Sequence, residues 1–161
     1  MKRTLFRIVI LMLLAGTFVT IFGFSNQNGE SSSSVSRKVA RKIINVFPYT
    51  KDLSETTKTK IVERSQPIIR KLAHFSIYTA VGILIMTFIS TYNVKLLKKF
   101  IISILVGLSY AISDEFHQSF IPGRTASPID VIIDTVGVFT GIIIVLILIS
   151  VYKALFKEVR E

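Results

Sequence analysis

Asp114, Glu115, His117, Gln118, Arg124, Asp130 and Asp134 fall within one short stretch, DEFHQSFIPGRTASPIDVIID, flanked by segments that are almost wholly apolar. Ionisable groups at the edge of a bilayer are costly, so several together point to work being done there. Asp114 and Glu115 are adjacent carboxylates, and in a low dielectric two such groups cannot both ionise cheaply without an Arg or a charged His nearby. That arrangement suits general acid–base chemistry, and it suits a static polar network equally well. Upstream, Arg70, His74, Tyr78 and Gly82 recur every fourth residue, which puts them on one side of a helix. The sequence therefore assigns acid–base capacity to His74, Asp114, Glu115 and Asp134, and binding capacity to Tyr78, Gln118, Arg124 and Asp130.

Each of these residues also has a plainer reading. Ser127-Pro128-Ile129-Asp130 is a good helix start, with Ser as N-cap and Pro in the first turn, so Asp130 can serve as a cap. Asp134, one turn deeper, has no such role. Pro122-Gly123 is a turn pair and needs no function. Arg124 either snorkels to the interface or neutralises the carboxylates around it, and so many acids favour the second. His74 alone is an interfacial histidine; opposite Asp114 and Glu115 it is expected to pair. Two His and four acids could together hold a metal, but Glu115-Phe116-His117 matches no ligand spacing such as H-E-x-x-H, and no metal or other cofactor is expected. Gly107-Leu108-Ser109-Tyr110-Ala111 has the outline of a nucleophile elbow, but it lies inside an apolar helix with no strand before it.

The elements that must position these groups are membrane spans. Half of the 161 residues are hydrophobic, Cys is absent, and the mean hydropathy is +0.58. That is too apolar for an ordinary soluble domain and fits a small integral membrane protein. The fold expected is all-α, a four-transmembrane-helix bundle in a single domain over 1–161. Its spans are placed at about 5–24, 72–90, 100–120 and 129–151, each covering roughly 30 Å at about 1.5 Å per residue. The first follows MKRTLFR; the run is long and no A-x-A site follows it, so it reads as a retained helix rather than a signal peptide.

SNQNGESSSS at 25–34 reads as a polar linker. Val35, Val39, Ile43, Ile44 and Phe47 then recur at helical spacing, with Arg37, Lys38, Arg41 and Lys42 on the other side. A short amphipathic extracytoplasmic helical segment lying in the interfacial plane is expected between helices 1 and 2. Asp52 with Glu55 has the spacing of a capping box opening a second short helix, which Pro67 would limit. Lys and Arg total 20 against 10 Asp and Glu, and these bases flank apolar runs as contacts to anionic lipid do, so nucleic acid is not an expected partner.

With an even number of spans both termini share a side. Lys2, Arg3, Arg7, Lys95, Lys98, Lys99, Lys153, Lys157 and Arg160 would lie with them, and the basic residues concentrated in the short N-terminus and the 91–99 loop favour a cytoplasmic location. Asp114 then sits about 9 Å below the far surface, Asp134 about 7–8 Å below it and His74 about 3 Å below it. All three reach the same leaflet, whichever way the bundle is inserted.

The residues that carry these faces resemble the VanZ-like family of small bacterial membrane proteins. The matching pieces are FSNQNGESSSSVS after the first span, RKLAHFSIYTAVG at 70–82 and DEFHQSFIPGRTASPIDVIIDTVGVFTG at 114–141. The resemblance points to Lys71, His74, Tyr78, Asp114, Glu115, Gln118, Pro122, Gly123, Arg124, Asp130 and Asp134, and leaves His117 at a variable position. It implies a multi-pass protein of the bacterial cell membrane, and through the family's founding member an association with glycopeptide (teicoplanin-type) resistance. The expected function is binding or modification of a lipid or lipid-linked head group at the extracytoplasmic face, with membrane lipids, an envelope precursor or a glycopeptide as partners. A non-catalytic protein with a structural or partner-binding polar cluster is the alternative. Oligomeric state is left open.

Overall fold

A computed structural model describes residues 1–157. Five α-helices carry the chain: α1 (Lys2–Ser25), α2 (Gly29–Val46), α3 (Glu55–Ser90), α4 (Leu96–Gln118) and α5 (Pro128–Lys157). No strand is present among the described residues. Four of the helices, α1, α3, α4 and α5, are long and apolar enough to cross a membrane. Arg160, expected among the basic residues after the last span, lies outside the described residues.

Three expectations about the 25–67 region are corrected. Residues 29–34 are helical: the Asn28 side chain accepts the Ser31 N–H at 2.8 Å and starts α2 inside the presumed linker. A capping side chain at the right place outweighs the weak helix propensity of a serine run. The next helix is capped by Ser54, whose Oγ accepts from the Thr57 N–H, rather than by Asp52. Pro67 does not end that helix. It lies inside α3, which runs unbroken into the second span. Pro67 and Glu63 are both on the exposed side, where water can take up the carbonyl left without an N–H donor.

The long α3 has two jobs. Its first half pairs with α2, burying Ala40 and Ile44 against Val62, and Arg41 bonds Glu55 at 2.5 Å beside them. Its second half crosses α5 at a seam of small residues. A Cβ on Gly82 would collide with the Val138 carbonyl, one on Gly141 with the Thr79 carbonyl, and one on Gly137 would lie 2.6 Å from the Phe75 carbonyl oxygen. Backbones this close gain dispersion contacts that larger side chains would prevent, which is how helices associate where no hydrophobic force acts between them. Gly107 of α4 joins the seam, since a Cβ there would lie 2.5 Å from the Val138 side chain.

Tyr78, Val81, Met86, Ala111, Val138 and Ile142 form the closed centre. The outer surface exposes Leu13, Val19, Ile102, Leu105, Ile132, Ile147 and Leu148, apolar side chains suited to lipid rather than water. At one end Arg7 of α1 donates to Thr91 Oγ1 at 2.8 Å and its carbonyl at 2.9 Å, and stacks over Tyr92. The start of α1 therefore meets the end of α3. The opposite end gathers the C-termini of α1 and α4, the N-terminus of α5 and the middle of α3.

Candidate functional site

That opposite end holds the polar residues, and the helix ends decide their neighbours. Ser25, last residue of α1 and 1% exposed, donates its hydroxyl to Asp114 Oδ1 at 2.5 Å. Gln118, one turn after Asp114 on α4, donates to Asp114 Oδ2 at 3.0 Å. Both oxygens of this buried carboxylate thus have donors, one of them from a helix that the sequence did not connect with it.

The α4–α5 loop is built around Ile121–Arg124. The Arg124 N–H bonds the Ile121 carbonyl, and Gly123 adopts φ +75°, the conformation a type II turn needs after Pro122. The Pro122 carbonyl in turn accepts the Gly29 N–H at 3.1 Å, docking the turn on the start of α2. The Arg124 guanidinium donates to Gln118 Oε1 at 2.7 Å, the Gln27 carbonyl at 2.9 Å and the Phe24 carbonyl at 2.9 Å. The Gln27 and Phe24 carbonyls lie just beyond and at the end of α1, and that of Phe24 also accepts the Gln27 N–H at 3.2 Å. Arg124 reaches the carboxylates only through Gln118, and forms no ion pair with them among the described residues. Burial first, and the nearby Arg70 cation second, lower its pKa from the ordinary arginine value; the group stays charged at neutral pH.

Asp114 and Glu115, adjacent in sequence, part company. Glu115 turns to the loop, where its Oε1 accepts the Ser127 N–H at 2.6 Å at the entry to α5. Asp130 bonds Lys71 of α3 at 2.9 Å, a half-exposed ion pair. The pair that does form across the bundle is His74 with Asp134, Nδ1 to Oδ1 at 3.6 Å. That spacing is electrostatic contact, longer than a hydrogen bond. Asp134 is 0% exposed. Neither of its oxygens, nor His74 Nδ1, nor the Tyr78 hydroxyl has a hydrogen-bond partner among the described residues. His74, Asp114 and Asp134 each present one metal-ligand atom, all within 4.8 Å of one another.

His117 faces elsewhere. It stacks on Phe22 of α1 with ring centroids 4.6 Å apart, beside a separate hollow lined by Tyr110 and Phe120.

A cavity of about 270 Å³ opens over the site, walled by Arg70, Lys71, His74, Gln118, Arg124, Asp130 and Asp134. Glu115 is not on its walls. A second hollow of about 240 Å³, lined by Ile21, Phe24, Val35, Val39, Ile69 and Ile77, shares Arg70, His74 and Arg124 with the first. Arg70 lies at the junction and has no ion-pair partner among the described residues. Sequence reading set Arg70 on the right face, four residues before His74, yet gave it no role. Ser25 lies in the FSNQNGESSSSVS piece that resembles the family, but nothing local tells which helix the end of α1 will touch.

A sequence profile of the VanZ/LLP1 family matches residues 8–149, a range that includes every residue of the site. No curated protein and no solved structure matches the chain.

Proposed function

The chain belongs to the VanZ/LLP1 family, and we propose that it binds the anionic head group of a membrane lipid or lipid-linked envelope precursor at the extracytoplasmic face of the bacterial cell membrane. The observation that carries this reading is the pair of adjoining cavities, one polar and one apolar, meeting at Arg70, His74 and Arg124. An amphiphile has that shape, with a charged head for the first cavity and an aliphatic tail for the second. Ligand sites commonly combine an apolar wall with a few convergent polar groups. Arg70 holds the head group, since a guanidinium suits phosphate geometry and this one has no carboxylate to satisfy it. Lys71 and Arg124 add positive potential but are engaged with Asp130 and with Gln118 and the α1 carbonyls.

His74 and Asp134 on the cavity wall, with Asp114 close behind them, supply the capacity to modify the head group. A protein that occupies or alters a lipid-linked precursor would also change how a glycopeptide reaches that precursor, and on this ground we extend the proposal to teicoplanin-type resistance. A second reading, in which the cluster is structural, is favoured by one set of bonds: Ser25, Asp114, Gln118 and Arg124 form a chain tying α1 to α4.

The test is lipid retention by the purified protein, measured by native mass spectrometry with phosphatidylglycerol against phosphatidylcholine. The parent should prefer the anionic lipid. Arg70→Ala should lose about one order of magnitude or more in affinity, the scale of one hydrogen bond to a charged group, with an unchanged melting temperature. Equal retention of the two lipids, or binding indifferent to Arg70→Ala, would sink the reading. In cells, a teicoplanin sensitivity that ignores both loss of the protein and Arg70→Ala would remove the extension to resistance.

A further inference from the structure

Three side chains from three helices converge at one point: His74 of α3 and Asp134 of α5 on the wall of the polar cavity, and Asp114 of α4 off that wall. Their ligand atoms all lie within 4.8 Å of one another. Asp134 is the decisive member. It is fully buried, and both of its oxygens lack a hydrogen-bond donor among the described residues. A carboxylate taken out of water needs compensation by charge or by hydrogen bonds, and here hydrogen bonds supply none. The imidazole nitrogen facing it also lacks a partner.

We propose that His74, Asp114 and Asp134 bind one divalent cation of the zinc or manganese type. Two carboxylates and a 2+ ion sum to zero, which suits a low-dielectric position better than carboxylates left uncompensated. Of the Lys and Arg residues on the cavity wall, Lys71 bonds Asp130, Arg124 bonds Gln118 and backbone carbonyls, and Arg70 forms no ion pair with either carboxylate among the described residues. The donor set, one imidazole and two carboxylates without thiolate, suits zinc or manganese over soft ions. Ligands about 2.1 Å from a tetrahedral ion stand roughly 3.4 Å apart, so the site closes on the ion by rotamer adjustments on the order of 1 Å.

The surroundings fit the same assignment. Ser25 and Gln118 hold Asp114 by both oxygens, and ligands that are themselves hydrogen-bonded are oriented for the metal. His74 and Asp134 line the polar cavity, which gives the ion an entry path and leaves a coordination position facing that space for water or an anionic oxygen. Glu115 and His117 are excluded, the first bonded to Ser127 and the second stacked on Phe22. The cation site does not depend on lipid binding and would stand without it.

The test uses the full chain purified in detergent, stripped with chelator and titrated separately with Zn²⁺ and Mn²⁺. Calorimetry and metal analysis after desalting should give one ion per chain. Asp134→Asn and His74→Gln should each weaken uptake at least tenfold, and His117→Gln should leave it unchanged. The Mn²⁺-loaded parent should show nitrogen coupling from one imidazole in its electron-spin resonance spectrum. Absence of stoichiometric uptake, or uptake unaffected by both variants, overturns the proposal. If Asp134→Asn does not fold, the parent's spectrum decides alone, and a spectrum without nitrogen coupling overturns it.

Discussion

Arg124 donates to Oε1 of Gln118 at 2.7 Å, and the same guanidinium holds the Phe24 and Gln27 carbonyls. One side chain in the α4–α5 loop thereby fixes the end of α1, the last turn of α4 and the loop itself. The polar cavity keeps its shape because these three pieces cannot move separately.

Arg124→Ala should therefore act on stability before it acts on any ligand. Three bonds from a charged donor are lost and carbonyls near the end of α1 are left without it, a cost of about 2–4 kcal/mol. Arg124→Lys should recover little, since an ammonium cannot reach three acceptors in a fork. Thermal unfolding in micelles, read beside protease cutting at residues 119–127, checks both. A melting point unchanged in Arg124→Ala would show that the clamp contributes nothing.

The glycines divide into two kinds. Gly82→Ala pushes a methyl into the Val138 carbonyl, and Gly141→Ala does the same at Thr79. Each should cost about 1–3 kcal/mol by forcing α3 and α5 apart. Gly16→Ala and Gly23→Ala meet nothing within 4 Å and should gain roughly 0.5–1 kcal/mol of helix propensity. Melting all four variants in one detergent gives the comparison, and a reversed order would contradict the seam.

Lys71 and Asp130 make an ion pair at 2.9 Å with side chains 40% and 25% exposed. Solvent screens a pair so exposed, so a double-mutant cycle of Lys71→Ala and Asp130→Ala should return a coupling of about 0.5 kcal/mol. A coupling above about 2 kcal/mol would mean that the pair is held in a far drier setting than its exposure indicates.

The insertion direction can be read directly, because the chain has no Cys. Single cysteines in place of Ser31, Thr125 and Asn93 should react with an impermeant maleimide on intact cells at the first two positions and not at the third. Labelling at position 93 alone would invert the proposed topology.

Much of this fold was legible because helical periodicity is a local property. The apolar runs located α1, α4, the end of α3 and the start of α5 to within a few residues but not where α3 begins, and the four-residue spacing of His74, Tyr78 and Gly82 named the buried face of α3 correctly. Span boundaries alone brought His74, Asp114 and Asp134 to one end of the bundle. The serine-rich start of α2 and the passage of α3 through Pro67 were not legible, since a cap bond and an exposed carbonyl outweighed composition there.

What the sequence by itself determined was therefore which residues share a helix side and a depth. Only the tertiary structure decided who meets whom. Asp114 and Glu115 are neighbours in the chain, but successive residues on a helix point about 100° apart, so one turns to Ser25 and the other to Ser127. The partner of His74 became Asp134 on α5 because the glycine seam sets the rotation and offset of α3 against α5. Those two quantities belong to the packing of two backbones, and no single helix carries them in its own periodicity.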